Sequence, residues 1–368
     1  MHKKVLAIFS PNENAYSETF IQAHKKLPFE IKFYHSGDIP SQLEKRYDLQ
    51  GNTSRLEKLK KRILKKFSAE EYGLYYSLKR EKVNCVLAEY GTTAAETLNV
   101  VKALRLPLIV HFHGHDISNQ NVLSFYRKKY LDVFEYADTV IAVSKKMQEG
   151  LMEMGCPATK IFLTFYGPNP IFFSNQPKYV NQQFIYAGRF VQMKGPHLVI
   201  LAFKKVAERF HNARLVMIGD GPQLSFCKDL AAALELSARI HFKGVQTPEY
   251  IKQVFEESIA LVQHSITTET GDAEGTPVVI VEAQAAALPV VSTYHAGIPE
   301  VVINNETGFL VQEHDVARMA DYMRMLIEQP AIVKQMGTNA RQRIRRFFTI
   351  EKHLNGIADK IKEAMILN

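Results

Sequence analysis

Two glutamates, Glu274 and Glu282, could accept hydrogen bonds from the hydroxyl groups of a ligand. They flank residues 275–281, a mostly apolar run in which Pro277 stands where a helix would begin. Proline is tolerated at the first helical position because the N–H of that position has no intrahelical partner. We therefore expect a helix to begin near Thr276, with one carboxylate at its start and the other about 12 Å along it.

The start of this predicted helix could bind a phosphate group. N–H groups around Gly275, Thr276 and Val278, together with the positive end of the helix dipole, would attract a phosphate oxygen. Gly275 lets the backbone approach closely. Because carboxylates repel phosphate, the two glutamates would instead bind hydroxyls on either side of it, those of a sugar and of a ribose. A capped helix with one glutamate on its solvent face explains the pair equally well.

A loop with two cations is a second candidate for phosphate binding. Arg189 and Lys194 lie between Gly188 and Gly195, after the predicted strand 183–187 and before a predicted helix. A guanidinium offers forked hydrogen bonds and an ammonium offers a point charge, and both suit a diphosphate. Taken singly, each residue is more often a surface side chain.

Three histidines follow a predicted strand, at His111, His113 and His115. Gly114 indicates that the strand ends there and turns, which would leave His113 at the edge of the sheet. If the strand continued, the three side chains would share one face and could pack in a core or bind zinc. Zinc prefers a fourth ligand, and Asp116 would point to the other face. We therefore predict no metal site here.

Length and composition indicate two domains of ordinary globular type. The chain has 368 residues, of which 46% are hydrophobic and 23% charged. No run approaches the roughly 18 apolar residues of a membrane span, and the first residues are too weakly apolar for a signal peptide. We expect a cytoplasmic protein. The cysteines Cys85, Cys156 and Cys227 have no metal-ligand spacing and predict no disulfide framework.

The net charge of +8 is unevenly distributed along the chain. Residues 55–67 carry seven bases and one acid, with Leu56, Leu59, Ile63 and Phe67 at helical spacing. A basic amphipathic helix can lie on an anionic membrane surface. It can equally be a solvated helix that covers a domain. No aromatic-studded basic platform accompanies it, so we expect no nucleic-acid partner.

Short apolar runs alternate with helix-period segments along the whole chain, the pattern of parallel sheets covered by helices. Turn-forming residues at 166–170 predict a linker between the two domains. The predicted strands are 5–10, 31–35, 85–90, 108–113, 139–144, 183–187, 215–219, 239–244, 259–263 and 288–293. Later predicted helices are 248–258, 316–328, 331–347 and 350–366, and a turn is predicted at 297–300.

The segment after the first strand is placed to meet a ligand. Ser17 could cap a helix whose apolar face includes Phe20, Ile21 and Leu27. In doubly wound sheets the loops after the strands line the ligand crevice. Residues 12–19 are therefore expected near a substrate.

Several of these segments resemble one family. EGTPVVIVEAQAAALPVVSTYHAGIPEVV, followed by TGFLV at 307–311, is similar to the donor-site signature of the retaining glycosyltransferases of the GT-B fold, family 4. The Gly-Arg-x4-Lys-Gly spacing resembles the diphosphate clamp of that family, and HGHD at 113–116 resembles its N-terminal motif. SETF at 17–20 resembles a subgroup among exopolysaccharide enzymes. The chain departs from the family by lacking a glycine pair after the first strand and by having YGPNP at 166–170.

The resemblance implies an α/β fold with two Rossmann-like domains that face a central cleft. The N-terminal acceptor-side domain would span 1–170 and the C-terminal nucleotide-sugar-binding domain 178–347. The C-terminal helix, within 348–368, would cross back to the first domain.

The resemblance also assigns roles to particular residues. Glu274 and His113 would contact the donor sugar, Asp116 would fix the loop, and Glu282 would bind the ribose hydroxyls. The nucleotide base would lie near Gly244. The implied catalytic residues are His113, Arg189, Lys194 and Glu274. The implied nucleotide-binding residues are Arg189, Lys194, Gly244, Gly275, Thr276, Pro277, Val278 and Glu282.

The implied activity is transfer, with retention of configuration, of a hexosyl or N-acetylhexosaminyl group from a nucleotide sugar. The expected donor is a UDP-sugar. The expected acceptor is a hydroxyl of a glycan or lipid-linked molecule in bacterial surface polysaccharide synthesis. No cofactor or metal is expected, because the cations would meet the charge of the leaving diphosphate and the sequence has no Asp-x-Asp triplet. Contact of residues 55–67 with the inner face of the cell membrane remains an open alternative.

Two other functions stay open at this point. One is a different enzyme on the same fold, such as a nucleotide-sugar epimerase or a phosphorylase, although a phosphorylase would be expected to carry a lysine for pyridoxal phosphate. The other is a non-catalytic glycan-binding or membrane-docking protein. The combination of Arg189, Lys194, Glu274 and Glu282 disfavours the second, since a binding module needs no such set.

Overall fold

The computed structural model describes residues 3–14, 16, 18–44, 47–49 and 67–367. It divides into two compact units, of which the first comprises Met1–Thr164 with Leu354–Asn368 and the second comprises Phe165–His353. The division lies next to the predicted linker at 166–170. The predicted cap Ser17 and residues 55–66 of the predicted basic helix lie outside the described residues.

The first unit is built on a mostly parallel sheet. Its described strands have the order β4-β3-β2-β1-β5-β6-β7-β8, and only β2, β3 and β4 pair in antiparallel fashion. All five residues of the first strand are buried, as expected for a parallel strand covered on both faces. The strands are β1 (Val5–Phe9), β2 (Glu30–His35), β3 (Gln42–Leu43), β4 (Tyr47–Asp48), β5 (Cys85–Glu89), β6 (Leu108–His111), β7 (Thr139–Ala142) and β8 (Ile161–Leu163).

Helices connect these strands. A capping box begins the second helix, because the Ser68 hydroxyl accepts from the Glu71 N–H while the Glu71 carboxylate accepts from the Ser68 N–H. The described helices are α1 (Thr19–His24), α2 (Ala69–Arg80), α3 (Gly91–Leu104), α4 (His115–Ser118), α5 (Gln120–Tyr136) and α6 (Lys145–Glu153).

The C-terminal helix returns to the first unit, as predicted. It spans Ile350–Leu367, and Ile357 and Ile361 on it pack in one buried cluster with Leu6 and Ile8 of β1. Burial of these apolar side chains stabilises the packing of the helix on the sheet.

The second unit has an all-parallel sheet with the order β11-β10-β9-β12-β13-β14. Alternate residues of its central strand enter opposite cores: Phe184 and Tyr186 pack on one face, and Ile185 and Ala187 on the other. The strands are β9 (Gln183–Ala187), β10 (Arg214–Ile218), β11 (Ile240–Phe242), β12 (Ala260–Val262), β13 (Val290–Thr293) and β14 (Gly308–Val311). The helices are α7 (Pro196–Ala207), α8 (Leu224–Ala233), α9 (Pro248–Glu257), α10 (Val278–Ala285), α11 (Ile298–Val301), α12 (Val316–Glu328) and α13 (Pro330–Phe347), and the C-terminal helix is α14 (Ile350–Leu367).

The predicted α/β architecture is confirmed, and three local predictions need correction. The helix expected near Thr276 begins at Val278, because a residue before proline is disfavoured in the helical region and Pro277 itself has an extended ψ of 117°. The strand expected at 108–113 ends at His111, as described below. The turn expected at 297–300 is the short helix α11.

All three cysteines are buried and form no disulfide. No helix within the described ranges combines the length and the apolar character needed to cross a membrane.

Candidate functional site

The predicted cationic loop and the first glutamate meet in the second unit. The Lys194 Nζ lies 2.5 Å from the Glu274 Oε1, and the two side chains are 14% and 8% exposed. Lys194 ends a short 3-10 helix after β9, and Glu274 lies just before α10. Because the pair is only slightly exposed, solvent screens the attraction between the two charges only partly. A ligand that binds the Lys194 ammonium must therefore compete with the Glu274 carboxylate.

Gly195 makes the turn that places Lys194. Its φ of +54° lies in the left-handed region, and a Cβ added there would be 2.0 Å from the His264 carbonyl oxygen. Only glycine satisfies both conditions at this position. Pro196 follows as the first residue of α7, where its missing N–H costs no hydrogen bond.

A histidine that sequence reasoning missed supports the backbone of Glu274. The Glu274 N–H donates to the His295 Nε2 over 3.1 Å, and the His295 Nδ1 lies 2.7 Å from the Glu313 Oε1. Because Nε2 accepts, the ring proton resides on Nδ1 and is donated to Glu313. His295 follows the predicted strand 288–293, and the rule that such loops line ligand sites could have identified it.

Glu313 is held ionised opposite His295. Burial would raise the pKa of the Glu313 carboxyl, but the Thr267 N–H, at 2.8 Å, and His295 outweigh burial and lower the pKa below its usual range. The carboxylate is therefore a fixed acceptor that sets the tautomer of His295.

The side chain of Glu274 has two further and longer contacts. The Gln263 side-chain amide and the Ser265 hydroxyl each lie 3.5 Å from the Glu274 Oε1.

The beginning of α10 offers backbone donors beside Glu274. The first helical N–H groups, those of Val278 and Val279, have no intrahelical acceptor, and no side chain caps this end. Pro277 contributes no N–H, and the Ile280 N–H donates to its carbonyl over 3.1 Å. Gly275 and Thr276, both buried, precede the helix rather than begin it.

Glu282 lies within α10 and has an unusual environment. Burial raises the pKa of its carboxyl to about 8, and a hydrogen bond from the Asn169 backbone N–H acts in the opposite direction. At neutral pH the free carboxyl is mostly protonated, and ligand hydroxyls that donate to it would favour its ionised form. Asn169 belongs to the YGPNP segment, for which the residue pattern predicts a linker and no ligand contact.

Arg189 and Gly244 are the two other residues of the second unit that the sequence singles out near a diphosphate or a base. Arg189 is exposed, its carbonyl accepts from the Tyr186 hydroxyl over 2.8 Å, and within the described residues its guanidinium makes no contact with Lys194 or Glu274. Gly244 follows β11 with a φ of +64°, and a Cβ added there would meet nothing within 4 Å. Arg189 and Gly244 follow the carboxyl ends of two strands, the edge at which doubly wound sheets bind ligands.

A second polar group lies in the first unit and comprises His24, Glu89, His111 and His113, hereafter the Glu89 cluster. The Glu89 Oε1 lies 2.6 Å from the His24 Nδ1, and Oε2 lies 2.9 Å from the His113 Nε2 and 3.5 Å from the His111 Nδ1. All four side chains are buried. Glu89 and His111 are register partners on β5 and β6.

The carboxylate of the Glu89 cluster is held in its ionised form by its imidazole partners. Burial would raise the pKa of Glu89, but the charge of His24 and hydrogen bonds from His111 and His113 lower it well below its usual range. Burial, followed by the charge of His113, lowers the pKa of His111 to about 3. His111 is therefore neutral. His115, the third histidine of the predicted trio, is exposed at the start of α4 and lies outside the cluster.

The ring of His113 is enclosed by other rings. Its side chain is 3% exposed, and its centroid lies 4.6 Å from Phe20, 4.6 Å from Tyr90 and 4.3 Å from His111. The residue as a whole is half-buried, so most of its exposed surface belongs to its main chain. The predicted contact of His113 with a donor sugar stays a prediction.

Asp116 fixes the loop that follows β6. Its carboxylate accepts from the Gly91 N–H over 2.8 Å and from the His113 and Gly114 N–H groups over 3.0 Å each. Because these N–H groups turn toward Asp116, they leave the ladder of the sheet, and β6 ends at His111.

The segment after β1 meets the same part of the first unit. The Glu18 Oε1 accepts from the Tyr90 hydroxyl and from the Asn12 side-chain amide, each over 2.9 Å. Tyr90 and Phe20 both flank His113. Two segments that the sequence separates by about ninety residues, 12–20 and 111–116, therefore lie together.

Comparison with known proteins identifies the family. A model of the family Glycosyltransferase Family 4 matches residues 18–165, and a model of the Glycosyl transferases group 1 matches residues 170–343. The chain belongs to the family 4 glycosyltransferases. The two matches meet near the division between the two units.

Curated relatives of this family member include two proteins of exopolysaccharide synthesis. WcaL of Escherichia coli (strain K12), a glycosyltransferase assigned to colanic acid biosynthesis, is 32% identical over 62% of this chain and 57% of its own length. The amylovoran biosynthesis glycosyltransferase AmsK of Erwinia amylovora is 30% identical over 70% of this chain and 64% of its own length. The matches thus span about three fifths of these relatives.

Solved structures confirm the GT-B type of fold. HepE of Anabaena, crystallised in complex with UDP, covers 98% of this chain and is itself covered completely, with a TM-score of 0.77 at 17% identity. The sucrose-phosphate synthase of Thermosynechococcus elongatus has a TM-score of 0.76, also at 17% identity, over the full length of both chains. Likeness at this level of identity concerns the fold alone.

Proposed function

We propose that this protein is a retaining glycosyltransferase that moves a sugar from a UDP-sugar to a hydroxyl of a glycan or lipid-linked acceptor during synthesis of a surface polysaccharide. The transferred group would be a hexosyl or N-acetylhexosaminyl group. The observation that carries the proposal is the Lys194–Glu274 ion pair beside the uncapped start of α10.

The pair suits the charge changes of sugar transfer. When the bond between the sugar and the diphosphate breaks, negative charge grows on the leaving oxygen. Lys194 and the N–H groups of Val278 and Val279 supply positive charge and donors for it, and the exposed Arg189 would bind the outer side of the diphosphate. These groups would do the work of a divalent cation, so we expect turnover without added metal.

Glu274 would pass from Lys194 to the donor sugar. Once the diphosphate pairs with the Lys194 ammonium, the Glu274 carboxylate would be free to accept hydrogen bonds from sugar hydroxyls. Its backbone stays fixed meanwhile, because its N–H remains bound to His295. Glu282, whose pKa is raised to about 8 by burial, would accept from the ribose hydroxyls, with Gly244 leaving room for the base.

UDP is proposed as the nucleotide because HepE, which shares the fold, was crystallised with it. The polysaccharide acceptor is proposed from the names of WcaL and AmsK. The first unit would supply the acceptor side, with Glu18 in the segment predicted to meet a substrate. A cytoplasmic location, with residues 55–67 touching an anionic membrane, is part of the same proposal.

A donor panel with product analysis tests the proposed function. The full chain is incubated with UDP-, GDP- and ADP-sugars and an isolated acceptor lipid, with and without a chelator, and the anomeric configuration of the product is read by NMR. We expect transfer from a UDP-sugar, with retained configuration and no loss in chelator. Inverted configuration would contradict the retaining mechanism. Conversion of a donor to its epimer would favour the epimerase, and nucleotide binding without turnover would favour a docking protein.

A further inference from the structure

The Glu89 cluster joins three segments of the first unit around one carboxylate. His24 ends α1, Glu89 ends β5, and His111 and His113 lie at the end of β6. Strand ends of a parallel sheet form the edge at which ligands bind in this fold class. A fully buried carboxylate therefore lies directly beneath the loops of that edge.

Such a cluster is costly and is not required for packing. Removing a carboxylate from water is strongly unfavourable unless partners satisfy it, and well-packed apolar residues of similar volume are often at least as stabilising. What hydrogen-bonded charges add is a defined geometry, because each oxygen accepts in a narrow range of directions. Glu89 uses one oxygen for His24 and the other for His113, so it fixes two rings at once.

The distances favour direct hydrogen bonds over a bound metal ion. Ligand atoms of Glu89, His111 and His113 lie within 4.8 Å of one another, close enough to consider zinc. Tetrahedral zinc with ligand bonds near 2.05 Å separates its ligand atoms by about 3.3 Å. The Glu89 oxygens lie 2.6 Å from His24 and 2.9 Å from His113, which are hydrogen-bond lengths.

We propose that Glu89 is a positioning residue that holds His113 with its proton on Nε2 and thereby fixes the loop at 112–115. This inference rests on the proposed function for its effect on turnover. The imidazole of His113 acts as a buried anchor, and the main chain around it faces the ligand. Glu89 secures the ring from within the unit, and Asp116 secures the N–H groups of the same loop.

A matched pair of variants tests this role in the full chain. Glu89→Gln keeps the size of the side chain but replaces one carboxylate oxygen with an NH2 group. That NH2 group would face an imidazole N–H, so two donors would meet and the loop should shift. We expect kcat to fall about 10–100-fold, a loss typical of misplacing reacting groups by roughly 1 Å. UDP affinity, measured by calorimetry, should stay within twofold, because Lys194 and α10 belong to the second unit. Glu89→Asp should give an intermediate kcat.

Glu81→Gln is the control for losing a buried carboxylate. Glu81 is 7% exposed and pairs with Lys32 over 3.0 Å in the same unit. This variant should lose some stability and keep kcat within twofold of wild type. If folded Glu89→Gln also kept wild-type kcat, the positioning role would be refuted.

A measurement on the wild-type protein covers the case in which Glu89→Gln does not fold or the wild type shows no transfer. Ring nitrogen NMR of histidine-labelled protein should show His113 protonated at Nε2, with the resonance assigned from His113→Gln. A proton on Nδ1, or one zinc per chain by elemental analysis that is lost in His111→Ala, would overturn the inference. Absence of transfer by the wild type, with the predicted tautomer present, would refute the proposed function and leave the anchor intact.

Discussion

The two charged groups of this protein differ in how completely their charges are committed to internal partners. In the second unit, Lys194 and Glu274 retain some exposure, and the further donors to the Glu274 carboxylate stand at 3.5 Å, the long limit of a hydrogen bond. In the first unit, Glu89 has no exposure and both its oxygens have close imidazole partners. We therefore expect the first group to exchange partners with a ligand, and the second to keep its partners because any change would disrupt its loop.

If the proposed function holds, the difference would let one fold provide both a ligand site and its support. The partly exposed ion pair would leave its cation available for a diphosphate, because a more highly charged anion would replace the carboxylate. A fully buried cluster gives up that capacity and gains rigidity instead. Variants that act on only one of the two groups should therefore separate nucleotide binding from turnover.

The largest effect should follow from removing the cation of the Lys194–Glu274 pair. Lys194→Ala should reduce turnover of the donor about 10²–10³-fold, the usual consequence of losing one charge-stabilising group at a leaving oxygen. Initial rates at saturating donor provide the measurement. Lys205→Ala, an exposed lysine on α7, is the matched control and should keep wild-type rates. Equal losses in the two variants would show that general surface charge matters rather than this pair.

Removing the other half of the pair should separate binding from turnover. Glu274→Gln should lower turnover about 10²-fold because the sugar loses a charged acceptor. The same variant should bind UDP at least as tightly as wild type, since Lys194 no longer has a competing carboxylate. Glu328→Gln breaks a surface pair with Arg209 in the same unit and should change neither quantity. Weaker UDP binding by Glu274→Gln would mean that the pair does not exchange partners.

Two glycine variants should show how strictly the backbone turn at Gly195 requires glycine. Gly195→Ala and Gly244→Ala share the strain of a left-handed residue, about 1–2 kcal/mol. Only at Gly195 does the added Cβ also meet a carbonyl oxygen, which adds about 1–3 kcal/mol. Urea unfolding should therefore show the larger loss for Gly195→Ala. Equal midpoints would mean that the turn before α7 has room to relax.

The smallest effect concerns a proton at Glu282. Burial raises the pKa of the free carboxyl to about 8, so near pH 7 it is mostly protonated. Ribose hydroxyls that donate to the carboxylate lower this pKa, so nucleotide binding should release close to one proton near pH 7. The release should fade above about pH 9 and below about pH 5. Calorimetry in buffers of different ionisation enthalpy measures it, and Glu282→Gln should abolish it.

The residues of the candidate site in the second unit could be named from the local sequence, and their roles stay predictions. Arg189 with Lys194, and Glu274 with Glu282, fall at short spacings within single loop-to-helix segments, so their types and spacing already indicate a diphosphate and hydroxyls. α10 nevertheless begins two residues after its predicted start near Thr276, because a residue before a proline is disfavoured in the helical region.

The residues that hold the Lys194–Glu274 pair and the Glu89 cluster in place could not be predicted from local sequence. His24, Glu89 and His113 lie far apart in the sequence, and only the pairing of β5 with β6 and the return of α1 bring them together. A single histidine or glutamate carries no periodic signal, so His24 and Glu89 were indistinguishable from core or surface residues. His295 could have been suspected from its position after a strand, but its contact with the Glu274 N–H could not. Asn169 acts through its backbone N–H, which no side-chain type can indicate.

Calorimetric titration of UDP into the wild type and Lys194→Ala tests the central claim most directly. That claim is that the second unit binds a diphosphate through Lys194 and the start of α10. We expect one saturable site that weakens at high salt and loses about tenfold to a hundredfold in affinity in Lys194→Ala, the usual cost of one charged hydrogen bond. Undiminished binding by Lys194→Ala, or no binding of any nucleoside diphosphate to the wild type, would contradict it.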